Sequence, residues 1–318
     1  MVNEGMMNTE LRDVLYRSCM KSLQVCWSIL IIMIPISLAV TILQYTGILD
    51  YFAWALSPLM RIVSLPGEAS LALIAGALIN IYAGIAVMGT LGLDAWSINI
   101  IAVMMLICHN LLVESAVQSR TGVSGIAMTV FRIVAAIGMG ICLSLLLPES
   151  MKGTGMLMGA AVSPDTQTLA EVMATWFMQT SDLTVKVILI IAVINLIIDV
   201  MRFYRAFEPV ITALRPLAFV NGLPGKAAFM WMTGIFFGLA YGAGVLIAEA
   251  RAGHVDKDAL VRLNLSLGIS HSLIEDTFLF VAIGASLFWV LVPRMVAAAL
   301  MVWAYVLVMS FLQPRVSP

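Results

Sequence analysis

The chain has 318 residues, of which 62% are hydrophobic and 11% charged, and its mean hydropathy is +1.03. Soluble domains are close to half apolar and a quarter charged, so this composition excludes an ordinary water-soluble enzyme and indicates a polytopic membrane protein. The net charge is −1 and the 17 Lys and Arg residues are scattered, which excludes the basic surface that nucleic acid requires.

Eight hydrophobic segments follow one another along the chain, and each approaches the roughly 20 residues that a helix needs to cross a bilayer. They are 23–43, 69–92, 97–119, 125–147, 183–201, 227–248, 260–284 and 285–312. The third, seventh and eighth contain ionisable residues, so these three are candidates for a broken or re-entrant path. Two amphipathic segments, 50–63 and 204–219, are too short to span and are predicted to be helices in the membrane interface.

The second half of the chain repeats features of the first half. At a spacing of 158 residues, Pro58 corresponds to Pro216 and Gly76 to Gly234. At a spacing of 162, five further pairs occur in the same order: His109 and His271, Glu114 and Asp276, Ser115 and Thr277, Gly122 and Gly284, and Arg132 and Arg294. The pattern predicts two homologous repeats, 1–147 and 167–318, joined by a linker at 148–166.

The distribution of Lys and Arg, which favour the cytoplasmic side, indicates the orientation of these repeats. The segment before the first span has three and the loop after it has one, whereas the equivalent places in the second half have one and four. This reversal favours inverted repeats. The loop with Arg251, Lys257 and Arg262 has the opposite bias, and four full crossings per half would make the copies parallel. Inverted repeats need an odd number of crossings per half, which would result, for instance, if the histidine segment is re-entrant.

The densest ionisable stretches within the hydrophobic segments are ICHNLLVESAVQSRTG at 107–122 and ISHSLIEDTFLFVAIG at 269–284. A charged side chain at the centre of a membrane helix costs about 2.5–3.5 kcal/mol on insertion scales, so such groups normally face a partner or a pathway. His109 and Glu114 are five residues apart, about 140° around an ideal helix, and only an unwound turn would bring them together. We predict a substrate or ion pathway lined by His109, Asn110, Glu114, Ser115, His271, Ser272, Glu275, Asp276, Thr277, Asn80, Tyr82 and Tyr241.

Two interpretations of these ionisable groups compete. A histidine beside a carboxylate can carry a coupling proton or bind a solute. Alternatively, the acids neutralise arginines as buried structural pairs, Glu114 with Arg132 and Asp276 with Arg294. We favour the pathway, with the two arginines as supporting charge partners.

Metal binding is a third interpretation, and it ranks last. Glu275 shares the helical face of His271, but Val113 stands at the equivalent position in the first half, which weakens a symmetric site. Zinc sites also prefer three or four ligands. We therefore expect no bound metal and no cofactor.

Glycines recur along the second and sixth hydrophobic segments. Small residues spaced in this way let helices approach closely. Alternatively, they mark a helix break whose free backbone groups, together with Asn80, Tyr82 and Tyr241, hold a polar solute. Both interpretations concern the same residues: Gly76, Gly84, Gly234, Gly238, Gly242 and Gly244.

The segment GISHSLIEDTFLFVAIGA at 268–285, with its counterpart in the first half, resembles the nucleoside-recognition or Gate-domain family of bacterial membrane proteins. That family includes spore maturation proteins A and B and is similar in fold to the membrane part of ferrous-iron transporters. The resemblance covers both halves, as though two single-domain members were fused. It implies an inverted-repeat permease or channel-like fold. Ferrous iron is disfavoured as the cargo, because the segment at 269–284 has no cysteine and the one at 107–122 has only Cys108.

These observations predict an all-α polytopic protein of the bacterial inner membrane that acts as a secondary transporter of a small polar solute. The solute is a nucleoside-like compound or an ion, coupling to a proton or another ion is expected, and the site lies between the repeats. A GxxxxGK[ST] motif is absent, which disfavours nucleotide hydrolysis as the energy source. The alternative is a channel or assembly factor in which the buried groups are structural pairs.

An intramembrane enzyme ranks third, because neither HExxH nor GxSxG occurs. The expected partners are the lipid bilayer and the solute, without nucleic acid. Interfacial helices and glycine-lined helix contacts are compatible with a homodimer and do not require one.

Overall fold

The computed structural model of the protein describes residues 4–154, 168–204 and 206–312. Within these ranges it contains fourteen α-helices and no β-sheet, which confirms the predicted all-α class. The helices are α1 (Glu4–Tyr45), α2 (Ile48–Ile62), α3 (Ala69–Leu78), α4 (Ile81–Met88), α5 (Ala95–Cys108), α6 (Leu111–Ser119), α7 (Gly125–Leu146), α8 (Leu169–Phe203), α9 (Phe207–Val220), α10 (Ala228–Tyr241), α11 (Ala243–Ala252), α12 (Lys257–Ser270), α13 (Glu275–Ala282) and α14 (Leu287–Leu312).

Six helical segments of the described chain are long and apolar enough to cross a membrane. The spans formed by α7, α8 and α14 expose broad apolar faces, with side chains such as Ile126 and Leu145 turned outward, as lipid-facing helices do. The span formed by α5 and α6 is mostly buried inside the molecule. The six segments are Arg12–Tyr45, Ala95–Ser119, Gly125–Leu146, Leu169–Met201, Lys257–Ala282 and Leu287–Leu312.

The second and sixth predicted segments do not form continuous spans. The segment 69–92 divides into α3 and α4, and 227–248 divides into α10 and α11. The first break lies at Asn80, whose extended backbone begins α4 and whose side-chain oxygen accepts a hydrogen bond from the Ala83 N–H. In the second, Gly238 has a φ of 70°, which disrupts α10 before its end. Because α3 has 10 residues and is about 15 Å long, it is too short to cross.

The third and seventh predicted segments are broken in the middle, as expected, and both breaks fall at the histidines. His109 is extended and Asn110 is left-handed between α5 and α6, with a φ of 48° for Asn110. His271 is likewise extended and Ser272 left-handed, with a φ of 49° for Ser272. The eighth segment, which was also a candidate for a break, is continuous in α14.

The first long helices of the two halves, α1 and α8, pack against each other in antiparallel fashion. In the first half of α1, the Lys21 ammonium lies 3.8 Å from the carboxylate of Asp199, which is close to the end of α8. Farther along α1, the Ser37 hydroxyl accepts a hydrogen bond from the indole N–H of Trp176, which is close to the start of α8.

The two broken spans also run antiparallel, so that their breaks lie side by side. Asn99, near the start of α5, accepts a hydrogen bond from the backbone N–H of Ser286, which follows α13. At the other end, Gln118 of α6 donates to the carbonyl of Asn264 in α12, at 3.1 Å. The middle of each span therefore faces the middle of the other.

Gly76 of α3 and Gly234 of α10 serve close packing. A Cβ atom on Gly76 would lie 2.8 Å from the side chain of Met105, and one on Gly234 would lie 2.5 Å from that of Leu267. Both contacts are closer than carbon atoms tolerate, so glycine is needed for the helices to approach. The packing interpretation is confirmed at these two positions.

The two predicted amphipathic segments are helices, α2 and α9. The inner face of α2 buries Leu49, Ala53 and Met60, while Tyr51 and Trp54 are exposed. Their location in the membrane interface stays a prediction. The division into two repeats also stays a prediction, and residues 155–166 of the proposed linker lie outside the described part of the chain.

Candidate functional site

The two paired histidines meet at the centre of the molecule. The ring centroids of His109 and His271 are 5.0 Å apart, and both side chains are buried. Each Nδ1 is hydrogen-bonded to the carbonyl oxygen four residues earlier, that of Met105 at 3.1 Å and that of Leu267 at 2.8 Å. A carbonyl oxygen only accepts, so each Nδ1 carries the hydrogen and each Nε2 is turned toward the site.

A carboxylate lies between the two imidazoles. Glu114 places Oε1 3.5 Å from Nε2 of His109 and Oε2 3.1 Å from Nε2 of His271. Asp276 places Oδ2 3.4 Å from Nε2 of His109. The unwound turn after α5 thus brings His109 and Glu114 together, as predicted from their spacing of five residues.

Two fully buried arginines hold the broken backbones. On α7, Arg132 donates through Nε to the carbonyl of Ile107 at 2.7 Å and through Nη2 to that of His109 at 2.8 Å. On α14, Arg294 donates in the same way to the carbonyls of Ile269, at 3.1 Å, and His271, at 2.7 Å. These carbonyls have no helical partner at the break, which explains why an arginine lies beside each one.

The two arginines differ in their contact with the acids. Arg132 forms a 2.6 Å ion pair with Glu114, as the structural-pair interpretation expects. Asp276 forms no ion pair within 4.0 Å with Arg294 in the described chain, and its closest charged contact is with His109. The second proposed pair is therefore not a direct contact, although the two buried groups are close enough to interact electrostatically.

A cavity of about 350 Å³ opens beside these groups. His109, Glu114 and Asp276 form its buried wall, while the exposed Ser28 of α1 lies at its outer side. Eight of the twelve predicted pathway residues line it: Asn80, Tyr82, His109, Asn110, Glu114, Ser272, Glu275 and Asp276.

The other predicted residues lie elsewhere. His271 is fully buried behind Glu114, and Ser115 accepts a hydrogen bond from Thr129 at 2.7 Å. Thr277 is also buried away from the cavity wall. Ser115 and Thr277 each follow a cavity acid, and one residue on a helix turns the side chain by about 100°. The side chain of Tyr241 lies outside the described part of the structure.

A tyrosine links the first half to an acid of the second half at the cavity. The hydroxyl of Tyr82 on α4 donates to Oε1 of Glu275 on α13 at 3.1 Å. Three carboxyl groups, two guanidinium groups and two imidazoles come together at and beside the cavity. The cavity therefore offers both hydrogen-bonding groups and acidic groups.

Several residues at or near the site were not predicted from the sequence. Ser28 and Phe237 line the cavity. Asn99 and Asn264 join the two broken spans, and Asn264 also donates to the hydroxyl of Thr121 at 2.9 Å. The sequence signal that could have revealed Asn99 and Asn264 is an amide side chain inside an apolar segment.

Comparison with known proteins places this fold in a family. Residues 26–146 match the Gate family, described as nucleoside recognition. The chain is also 30% identical over 285 residues to the uncharacterized membrane protein YvoD of Bacillus subtilis strain 168, covering 88% of this chain and 90% of that protein. The chain belongs to the Gate family. No solved structure matches it.

The family resemblance found in the paired histidine motifs is thereby confirmed. The Gate match contains His109, Glu114 and Arg132, which form one side of the site. It ends at residue 146, so the second Gate-like repeat stays a prediction. The protein is a membrane-spanning member of the Gate family.

Proposed function

We propose that this protein is a secondary transporter for a small polar solute in the bacterial cytoplasmic membrane, and that the cavity beside His109 binds the solute. The main support is the position of the cavity, whose buried wall consists of ionisable groups from near the middle of two candidate spans. Such groups are costly within a membrane and normally line a pathway. We propose no enzymatic activity.

The size and chemistry of the cavity support a small solute. Its volume, about 350 Å³, lies at the lower end of the range for small-molecule sites. Asn80, Ser272 and Glu275 contribute amide, hydroxyl and carboxylate groups, while Phe237 contributes an aromatic surface. A nucleoside-like compound with one aromatic base and several hydroxyl groups matches this combination.

An inverted arrangement of the two halves supports alternating access. Three candidate spans precede the 148–166 segment and three follow it, and an odd number gives successive halves opposite orientations. The antiparallel pairs α1 with α8 and α5–α6 with α12–α13 agree with that orientation. In transporters built from inverted repeats, discontinuous helices form the site between the repeats.

The coupling species in this proposal is a proton or another cation. The support is the presence of three acidic side chains at the cavity, Glu114, Glu275 and Asp276, since carboxylates attract positive charge to the same place as the solute. A cation gradient would then supply the energy that nucleotide hydrolysis does not, since the sequence has no GxxxxGK[ST] motif.

A channel-like or assembly protein is the second candidate function. It is favoured by the ion pair of Arg132 with Glu114 and by the bonds of both arginines to the broken backbone, since these contacts also serve stability alone. In that case, substitutions at the cavity would change stability without any effect on a solute.

The experiment is a thermal-stability screen of the detergent-purified protein against nucleosides, nucleobases and organic acids, followed by uptake into proteoliposomes. A solute at one hundred times its Kd stabilises the native state by about 2.7 kcal/mol. The cavity variant Glu275→Gln should lose that stabilisation, and the exposed Glu149→Gln should keep it. Stabilisation and uptake that are absent for every solute, or unchanged in Glu275→Gln, would contradict the proposal.

A further inference from the structure

The acceptor atoms at the centre of the site face one another. Because Nδ1 of each histidine donates to a carbonyl, the neutral ring presents a lone pair at Nε2. Nε2 of His271 lies 3.1 Å from a carboxylate oxygen of Glu114. Two lone pairs at this distance repel one another, so a proton or a metal ion is expected between them.

The spacing of these atoms matches that of metal ligands. Zinc binds imidazole nitrogen at about 2.0–2.1 Å and carboxylate oxygen at about 2.0–2.2 Å, so two ligands at a tetrahedral angle are about 3.3 Å apart. The nitrogen-to-oxygen distances here are 3.1 Å, 3.4 Å and 3.5 Å. One ligand atom from each of His109, Glu114 and His271 lies within 4.8 Å of the other two.

The surrounding contacts are those that orient metal ligands. A metal-bound histidine usually donates its other ring N–H to a carbonyl or carboxylate, and both histidines do so here. Glu114 is fixed by Arg132, whose Nη2 lies 2.6 Å from Oε2, the oxygen next to His271, while Oε1 faces His109. The nitrogens and oxygens are thus held in place before any cation binds.

We propose that His109, His271 and Glu114 bind a divalent transition-metal ion, with Asp276 as a fourth ligand. Imidazole with carboxylate suits zinc, manganese, iron, cobalt or nickel, whereas calcium and magnesium take oxygen ligands and Cu(I) takes thiolate or thioether. The ion reaches the site through the cavity, where three of the four ligands are accessible. The inference does not rest on the proposed transport, since the same site would bind metal in a protein that moves no solute.

Metal binding is measured on the full-length, detergent-purified protein with ZnCl2 and CoCl2. Calorimetry gives the stoichiometry, and the visible spectrum of Co²⁺ reports its ligand field. The test variant is the double substitution His109→Asn with His271→Asn. The matched control is His254→Ala, which removes the third histidine, exposed in the loop before α12. We expect one ion per chain in the wild type and the control, and at least a hundredfold weaker binding in the double variant.

Two results would overturn the site. One is equal binding by the wild type and the double variant, which would place the ion elsewhere. The other is a wild-type Co²⁺ spectrum identical to that of the hydrated ion, which decides the matter even if the double variant does not fold. Glu114→Gln provides a second variant, and retention of full affinity in it would also contradict the proposal. Metal binding without solute uptake would contradict only the transport proposal. Solute uptake without metal binding would contradict only the metal site.

Discussion

His109 and His271 place their rings 5.0 Å apart although 162 residues separate them in the chain. Each histidine follows the last turn of the first helix in its broken span, α5 or α12. Its Nδ1 is hydrogen-bonded to the carbonyl oxygen four residues earlier. The antiparallel course of the two spans brings the breaks together. The site is therefore a consequence of topology, since neither half alone contains both rings.

The contacts of Arg132 and Arg294 predict unequal effects of removing them. Arg132→Ala leaves the buried Glu114 carboxylate without its guanidinium, and breaking a buried ion pair in this way costs about 3–5 kcal/mol. Arg294→Ala loses three backbone bonds, the longest of them 3.5 Å to Leu106, but no direct ion pair, so we expect a smaller loss of the free energy of unfolding. Thermal unfolding in detergent measures both. In a Glu114→Gln background the difference should shrink, and equal costs in the wild-type background would contradict this account.

The close approach at Gly234 predicts a packing defect on adding one methyl group. A Cβ there would lie 2.5 Å from the side chain of Leu267, and such overpacking costs about 1–3 kcal/mol. The control is Gly138→Ala on α7, where nothing lies within 4 Å of the added atom and alanine favours the helix. We expect Gly234→Ala to lower the unfolding temperature and Gly138→Ala to maintain or raise it. Loss of stability in both would point to a general intolerance of substitution.

The pairing of motifs at fixed spacing made much of this site predictable. Two histidines, each followed by an acid and an arginine, indicated equivalent positions, and the costly placement of ions in apolar segments indicated proximity. The 140° separation of His109 and Glu114 also indicated an unwound turn. These inferences used only local spacing and the energetics of a membrane interior.

The features that the sequence did not predict depend on where side chains and backbone point in space. Nothing in the spacing shows that Asp276 lies 3.4 Å from Nε2 of His109, because this follows from how α13 packs against the other half. The apolar segments at 69–92 and 227–248 look continuous by hydropathy, and a helix break was only one of two interpretations of their glycines. Their breaks depend on a capping interaction of Asn80 and on the backbone of Gly238, which hydropathy does not register.

The N-cap of α5 predicts a stability contribution with a defined pH dependence. Asp94 accepts hydrogen bonds from the N–H groups of Ser97, at 2.8 Å, and Gly153, at 2.9 Å. Partial burial opposes the charge, but these bonds prevail and lower the pKa of Asp94. The equivalent cap Asp256 accepts from one N–H, that of Ala259. Asp94→Ala should lower the free energy of unfolding by about 1–2 kcal/mol at neutral pH, which is more than Asp256→Ala should lower it.

The sign of the pH effect follows from the lowered pKa of Asp94. Its stabilisation is fully present above the unfolded-state pKa, about 3.9, and is lost as the pH falls through the folded-state value. The difference in unfolding free energy between wild type and Asp94→Asn should therefore be constant near neutrality and shrink only in acid. Unfolding curves at several pH values test this. If the difference in unfolding free energy between the two proteins shrinks between pH 8 and 6, the pH dependence belongs to another group.

Three candidate spans per half predict that Arg12 and Glu171 lie on opposite sides of the membrane. The test is Arg12→Cys or Glu171→Cys in a chain whose four native cysteines are replaced, with labelling by a membrane-impermeant reagent. Lys152→Cys is the control, because it follows the third span and should label with residue 171. Labelling of residues 12 and 171 from the same side would rule out the inverted arrangement.

The Tyr82 contact predicts a specific effect on solute handling. Tyr82→Phe removes the hydroxyl that donates to Glu275 at the cavity while keeping the ring, so the acid loses a hydrogen bond of about 1–1.5 kcal/mol. We expect about tenfold weaker binding of whichever solute stabilises the wild type. The matched control is Tyr305→Phe, which also removes a 3.1 Å bond to a carboxylate, that of Asp258, away from the cavity. Both variants delete a tyrosine hydroxyl that is bonded to a carboxylate, and only that of Tyr82 lies at the cavity. Equal effects of the two variants on solute binding would therefore assign the Tyr82 bond to helix packing.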